Sequence, residues 1–255
     1  YVIASEKALE FQGRSISWQH SFTVEAGKTI LIDLSSDNAK IEWISASTSR
    51  RDISRGGEMF KTLRDGVVTV QGELGPGTGF ILDEMGLVLT NHHVIDQSNE
   101  VRVRFDRHTA VKARVLAVDE ERDLAVLQIN MSAFPKGRAL KVANRNGVEQ
   151  PVIEGENIFT IGSPLDQDKI LSLGVASKVE KRAIITDITF NSGNSGAPLF
   201  NSLGQVVGVT TFKVKDRSSA AFAKNEMTGE ESGLSGAVAI EEAADLIAKA
   251  KAAAA

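Results

Sequence analysis

From residue 66 onward the chain is written in short runs of Val, Ile, Leu and Thr, broken at regular intervals by turn residues. Gly66-Val67-Val68-Thr69-Val70, Gly77-Thr78-Gly79-Phe80-Ile81-Leu82 and Leu87-Val88-Leu89-Thr90 come first, the last two joined by Asp83-Glu84-Met85-Gly86 as a hairpin. Val101–Phe105, Lys112–Val118 and Leu124–Ile129 continue the series. After the loop Asn144-Arg145-Asn146-Gly147 a second set begins, with Asn157–Gly162, Ser172–Ser177, Ile184–Asp187 and Val206–Val209. Strands this short and this evenly spaced are compatible with an antiparallel barrel or a sandwich. They form two β units of similar size, with no short-period repeat.

The flanks differ from this body. Residues 1–54 hold both tryptophans, Trp18 and Trp43, and read as a small β-rich segment with strands at Phe22–Val24, Thr29–Leu34 and Ile41–Ile44. About fifty residues make a thin core, and the tryptophans suit either that core or a binding surface. Ser49–Gly57 is polar, ends in paired glycines and reads as a linker; Glu58–Asp65 reads as a short helical turn. Residues 55–255 are then one larger domain, with a first β unit at about 58–142 and a second at about 150–240. Val214–Gly233 is a long polar loop without a period. Glu241–Lys251 is a helix with acids in its first turn and lysines in its last; its stripe of Ala243, Leu246, Ile247 and Ala250 is expected to dock on the second unit.

Composition narrows the partners. A net charge of -4 gives no electrostatic reason to expect nucleic acid or an anionic membrane. No apolar run is long enough to span a bilayer. The absence of cysteine excludes disulfides, thiolate metal sites and a cysteine nucleophile. A start at Tyr1 rather than Met suggests a processed or truncated product.

The chemistry concentrates at Asn191-Ser192-Gly193-Asn194-Ser195-Gly196-Ala197-Pro198-Leu199. A serine in a turn of small residues can be an ordinary turn between strands. It can also present a hydroxyl beside successive backbone N–H groups, which acyl transfer requires. The four histidines, His20, His92, His93 and His108, all precede Ser195. That order rules out the nucleophile-acid-histidine arrangement of α/β-hydrolases and leaves His, Asp, Ser. His92 and His93 close the strand Leu87–Thr90, where one of them could serve as base. Asp123 stands before the fully apolar run Leu124–Leu127 and needs a partner, either a histidine Nδ1–H or Arg122 beside it.

Taken together, Gly77–Ile81, Gly86–Ile95 with its Asn91-His92-His93-Val94, Asp123–Leu127, Thr186-Asp187 and Gly193–Leu199 resemble the trypsin-like serine endopeptidases, most closely their HtrA/Deg branch. The resemblance covers roughly residues 58 to 248. It implies an all-β, two-barrel chymotrypsin-like domain with a C-terminal helix, and a peptidase of unfolded or extended polypeptides working through an acyl-enzyme. By motif position it makes His93 the general base, Asp123 the group that orients it, Ser195 the nucleophile, and the N–H groups of Gly193 and Ser195 the oxyanion hole. Thr211, Phe212 and Lys213 would form the edge that pairs with substrate. Thr189 would lie at the base of the specificity pocket, with Phe190 and Gly236 shaping its walls, which favours a small or medium apolar residue before the cut. Asn194 stands where digestive relatives carry an aspartate, so regulation would lie in the ordering of residues 182–192 beside the loop 214–233. No metal or cofactor is implied, and the location implied is extracytoplasmic. The competing reading is a catalytically silent copy of the fold used as a peptide-binding or scaffold module.

Overall fold

The computed structural model describes residues 2–4, 9–11, 14–21, 39–43, 57–73, 75–143, 151–163, 169–190, 193–211 and 235–254. They belong to two compact units, Tyr1–Glu58 and Met59–Ala255, each described by itself. In the first, β3 (Arg14–Ser21) is the central strand and pairs antiparallel with β1 (Val2–Ala4), β2 (Leu9–Phe11) and β4 (Ala39–Trp43). The strand expected at Ile41–Ile44 is present as β4, while those expected at Phe22–Val24 and Thr29–Leu34 lie outside the described residues.

The second unit contains two closed six-stranded antiparallel barrels. The first is built from β5 (Val67–Gly72), β6 (Gly75–Ile81), β7 (Leu87–Thr90), β8 (Glu100–Arg104), β9 (Ala110–Asp119) and β10 (Leu124–Gln128). The second uses β11 (Asn157–Gly162), β12 (Ile170–Val179), β13 (Ala183–Thr186), β14 (Pro198–Phe200), β15 (Val206–Thr211) and β16 (Ser235–Ala239). Around each ring the strands follow one order: first, second, third, sixth, fifth, fourth. The two β units legible in the sequence are therefore two copies of one topology.

Three apolar clusters explain why many of these strands are apolar at every position. A strand sends alternate side chains to opposite faces. Val68, Ile81, Val88, Val103, Ala113 and Ala125 point into the lumen of the first barrel, and Ile158, Ala176, Ile184, Leu199, Val207 and Ala237 fill the second. The alternate residues, among them Val67, Phe80, Leu89, Val126, Phe159, Phe200 and Val209, meet in a seam shared by both barrels. Phe159 and Phe200 stack in it with ring centroids 5.0 Å apart. A strand with lumen on one side and seam on the other has no wet face, so the polar alternation of a one-sided sheet is absent.

Helices close the seam. α1 (residues 57–63) contributes Met59, Phe60 and Leu63. α3 (Ala244–Ala254) follows β16 through a 3-10 turn, Ile240–Ala243. The expected helix over 241–251 is thus displaced, its two glutamates lying in the 3-10 turn. Its docking is also corrected. Leu246 and Ala250 enter the seam, and the helix packs on β9 and β10 of the first barrel rather than on the second. Polar contacts tie the helix region to both barrels: Arg122, just ahead of β10, donates to both carboxylate oxygens of Asp245 at 2.7 Å and to the Glu242 carbonyl at 2.6 Å, while Arg182 of the second barrel donates to the Glu242 carboxylate at 2.9 Å.

Candidate active site

His93 does not end a strand. After β7 the backbone of Asn91 is extended, and His92–Ile95 form a single helical turn, α2. The Asn91 side chain would ordinarily cap that turn, but its Nδ2 donates instead to the carbonyl of Asp123 at 2.8 Å, and its Oδ1 is buried with no partner among the described residues. The turn directs both the N–H and the ring of His93 at one carboxylate.

That carboxylate is Asp123, 4 % exposed and held in the left-handed region at φ 56°. One oxygen accepts the His93 N–H at 2.9 Å. The other accepts His93 Nδ1 at 2.7 Å and the Thr211 hydroxyl at 3.0 Å. Its carbonyl also takes the N–H of His92 at 3.1 Å. Arg122, the alternative partner, is engaged by Asp119 and Asp245. Burial works against the charge on Asp123, but the bonds from the His93 ring and backbone and from Thr211 outweigh it and hold the carboxyl below its ordinary value. An ionised carboxylate can only accept, so Nδ1 carries the imidazole proton and Nε2 is left with its lone pair. The His93 side chain is 25 % exposed, enough for that nitrogen to meet a substrate.

The serine turn packs on the same region. Gly193 and Gly196 have φ 97° and 83°, conformations a residue with a Cβ adopts only under strain. A Cβ on Gly196 would sit 2.1 Å from the Thr78 carbonyl, 2.5 Å from Thr90 Oγ1 and 3.1 Å from the Asn91 N, so the turn rests directly against the segment leading into His93. Three successive carbonyls are pinned. That of Gly193 accepts from Thr78 Oγ1 at 2.6 Å, that of Asn194 from Thr210 Oγ1 and the Ala197 N–H, and that of Ser195 from the Thr78 N–H at 2.8 Å. The N–H groups of Gly193 and Ser195 have no acceptor among the described residues.

The other expected site residues are placed unevenly. Thr189 is exposed. Phe190 belongs to the apolar filling of the second barrel, and its N–H donates to Ser235 Oγ at 3.2 Å. Gly236 lies in β16 opposite Ile185 and Thr211. Phe212 and Lys213, Asn191 and Ser192, and the loop 214–233 lie outside the described residues. The hydroxyls of Thr78, Thr210 and Thr211 carry no motif of their own; their one signal is a threonine in an otherwise apolar or glycine-rich run, buried in the structure, where an unpaired hydroxyl would be costly.

The model of the trypsin-like peptidase domain matches residues 77–209. Over 184 residues the chain is 35% identical to a probable periplasmic serine endoprotease, DegP-like, of Pseudomonas savastanoi pv. phaseolicola, covering 69% of this chain and 35% of that protein. It is 34% identical over 149 residues to Protease Do-like 1, chloroplastic, of Arabidopsis thaliana, covering 54% of this chain and 33% of that one. With the putative serine protease HhoA of Synechocystis sp. it shares 35% identity over 161 residues, 58% of this chain and 40% of that protein. The matched region therefore spans well under half the length of these relatives. Among solved structures, the serine endoprotease from Yersinia pestis superposes with a TM-score of 0.62 at 25% identity, covering 76% of this chain and 65% of that chain.

Proposed function

The chain belongs to the trypsin-like peptidase family, and from that premise we propose that it is a serine endopeptidase of the HtrA/Deg type, with Ser195, His93 and Asp123 as its catalytic residues. The observation that carries the reading is the 2.7 Å bond from His93 Nδ1 to Asp123, which fixes the tautomer a general base requires. Ser195 Oγ attacks the scissile carbonyl while His93 Nε2 takes its proton. The oxyanion is met by the N–H groups of Gly193 and Ser195, which are otherwise unengaged among the described residues. Collapse of the tetrahedral adduct breaks the C–N bond, and His93 returns its proton to the leaving amine. Water, deprotonated by the same imidazole, then hydrolyses the acyl-enzyme. Asp123 remains ionised throughout and stabilises the imidazolium.

The substrate is an unfolded or extended polypeptide, paired with the backbone of Thr211, Phe212 and Lys213. Thr189, small and neutral, selects a small or medium apolar residue before the cut. The names of the relatives, periplasmic and chloroplastic, support an extracytoplasmic location. Among the described residues no helix is long and apolar enough to cross a membrane.

The test is digestion of an unfolded protein mixture by the chain and by Ser195→Ala, with the new termini read by mass spectrometry. Cuts that require Ser195 are expected, clustered after small or medium apolar residues. An intact mixture with both proteins, and no labelling of Ser195 by a fluorophosphonate, would overturn the assignment in favour of a peptide-binding module.

A further inference from the structure

An oxyanion donor is only as well aimed as the peptide plane that carries it. Because the peptide unit is planar and trans, its C=O and N–H point in opposite directions, and fixing a carbonyl fixes the N–H across the same bond. In the serine turn the Asn194 carbonyl, whose plane carries the Ser195 N–H, is held from within the second barrel by Thr210 and Ala197. The preceding plane, between Gly193 and Asn194, carries the Asn194 N–H rather than a donor of the hole, but it links the Gly193 donor to the Asn194–Ser195 plane, and it is held from outside that barrel by the hydroxyl of Thr78 on β6. Glycine at φ 97° gives this plane a freedom that no side chain restricts, so its orientation depends on what the carbonyl bonds.

Thr78 is fully buried and all its polar groups are used. Its N–H donates to the Ser195 carbonyl at 2.8 Å, and its carbonyl accepts Thr90 Oγ1 at 2.7 Å. Its hydroxyl accepts the Ser163 N–H at 3.0 Å. A hydroxyl has one hydrogen. With Ser163 donating into the oxygen, that hydrogen is left for Gly193, and the direction of the bond is set. One residue of the first barrel thus brackets the serine turn, gripping it at Gly193 with its hydroxyl and at Ser195 with its backbone N–H.

We propose that Thr78 is a positioning residue that sets the spacing and mutual orientation of the two oxyanion donors by anchoring the Gly193 carbonyl, on the peptide plane that links them. It touches no substrate and acts through the turn. The inference rests on the peptidase reading above, but its structural content is separable from that reading.

The experiment compares Thr78→Ser, Thr78→Cys and Thr78→Val in the full chain, with kcat and KM read on a peptidyl ester. Serine keeps the donor, cysteine is a poor one, and valine keeps the bulk without it. The expected result is a kcat within about threefold of the parent for Ser, and about 10- to 100-fold lower for Val, with KM within about twofold. Cys falls between them. A donor that is misaimed rather than deleted should cost less than the ~10²–10³ of outright removal. A folded Thr78→Val with the parent's kcat, or a Thr78→Ser as slow as Thr78→Val, would overturn the proposal. A second readout needs no activity: crystal structures of Thr78→Val and Thr78→Cys are expected to show the Gly193–Asn194 peptide rotated, and an unchanged plane in both refutes the anchor. If the parent chain turns over no substrate, the peptidase reading fails and this second readout alone decides the role of Thr78.

Discussion

Replacing Gly196 by alanine tests how tightly the serine turn is fitted against the first barrel. At φ 83° an L-residue with a Cβ costs about 1–2 kcal/mol of backbone strain. The new methyl would also stand 2.1 Å from the Thr78 carbonyl and 2.5 Å from Thr90 Oγ1. Neither atom is the end of a flexible chain, since Thr78 is bonded on both sides and Thr90 donates to it. Relief must come from backbone displacement, of the kind that costs about 1–3 kcal/mol when a packed core is overfilled. Alanine returns about 0.4–1 kcal/mol by restricting the unfolded chain. The net expectation is a loss of roughly 1–4.5 kcal/mol, which for a domain of this size lowers Tm by about 2–18 °C.

Gly155 supplies the internal control. Its φ of 82° is nearly the same, yet nothing lies within 4 Å of its would-be Cβ. Gly155→Ala therefore carries the strain without the collision, and its loss should be about 0–1.5 kcal/mol. Thermal unfolding of the two variants side by side isolates the steric part. If Gly196→Ala is no less stable than Gly155→Ala, the tight seating of the turn on Thr78 and Thr90 is wrong.

Three further outcomes are expected. Asp123→Asn reverses the bond to His93 Nδ1 and imposes the wrong tautomer, so kcat/KM for peptidyl esters should fall about 10³–10⁴-fold with the fold intact by circular dichroism; a drop under tenfold would remove Asp123 from its role. The depressed carboxyl of Asp123 contributes stability that is complete above its ordinary value of 3.8 and is lost as pH falls through the lower folded value. Acid unfolding curves of the parent and of Asp123→Asn should accordingly converge below that range and stay parallel above about pH 5, and a gap that widens on acidification contradicts the sign. Arg122→Ala removes the clamp on α3 and should speed amide exchange in Ala244–Ala254 ahead of β10; the accompanying Asp245 carboxyl, lowered to about 2 beside Arg122, should titrate nearer its ordinary range.

Much of the fold was legible because its signals are local. Short apolar runs and turn residues located the twelve barrel strands nearly all in place, yet β14 and β16 were not read, since Pro198–Phe200 is brief and Ser235–Ala239 is mostly small residues. These are strands by virtue of their neighbours, a tertiary effect without local signature. The helix was legible as a helix, but its address was not. Its apolar stripe suits either barrel, and the decision lies in tertiary packing of Leu246 and Ala250 and in contacts such as Arg122 with Asp245, all distant in sequence. In the site, His93, Asp123, Gly193 and Ser195 could be singled out from motif order. The hydroxyl bonds of Thr78, Thr210 and Thr211 could not, although Thr211 was expected at the substrate edge, because a hydroxyl's importance depends on which carbonyl or carboxylate the fold sets before it.

The path of the last helix also orders events in time. Residues 244–254 are made after every strand of both barrels, yet they cover β9 and β10, whose connecting turn holds Asp123. Until they emerge, the outer strip of the earlier barrel is wet and Arg122 lacks its carboxylate partner on the helix. A ribosome still translating thus carries every strand of both barrels without the helix that covers β9 and β10. The barrel made first is covered last.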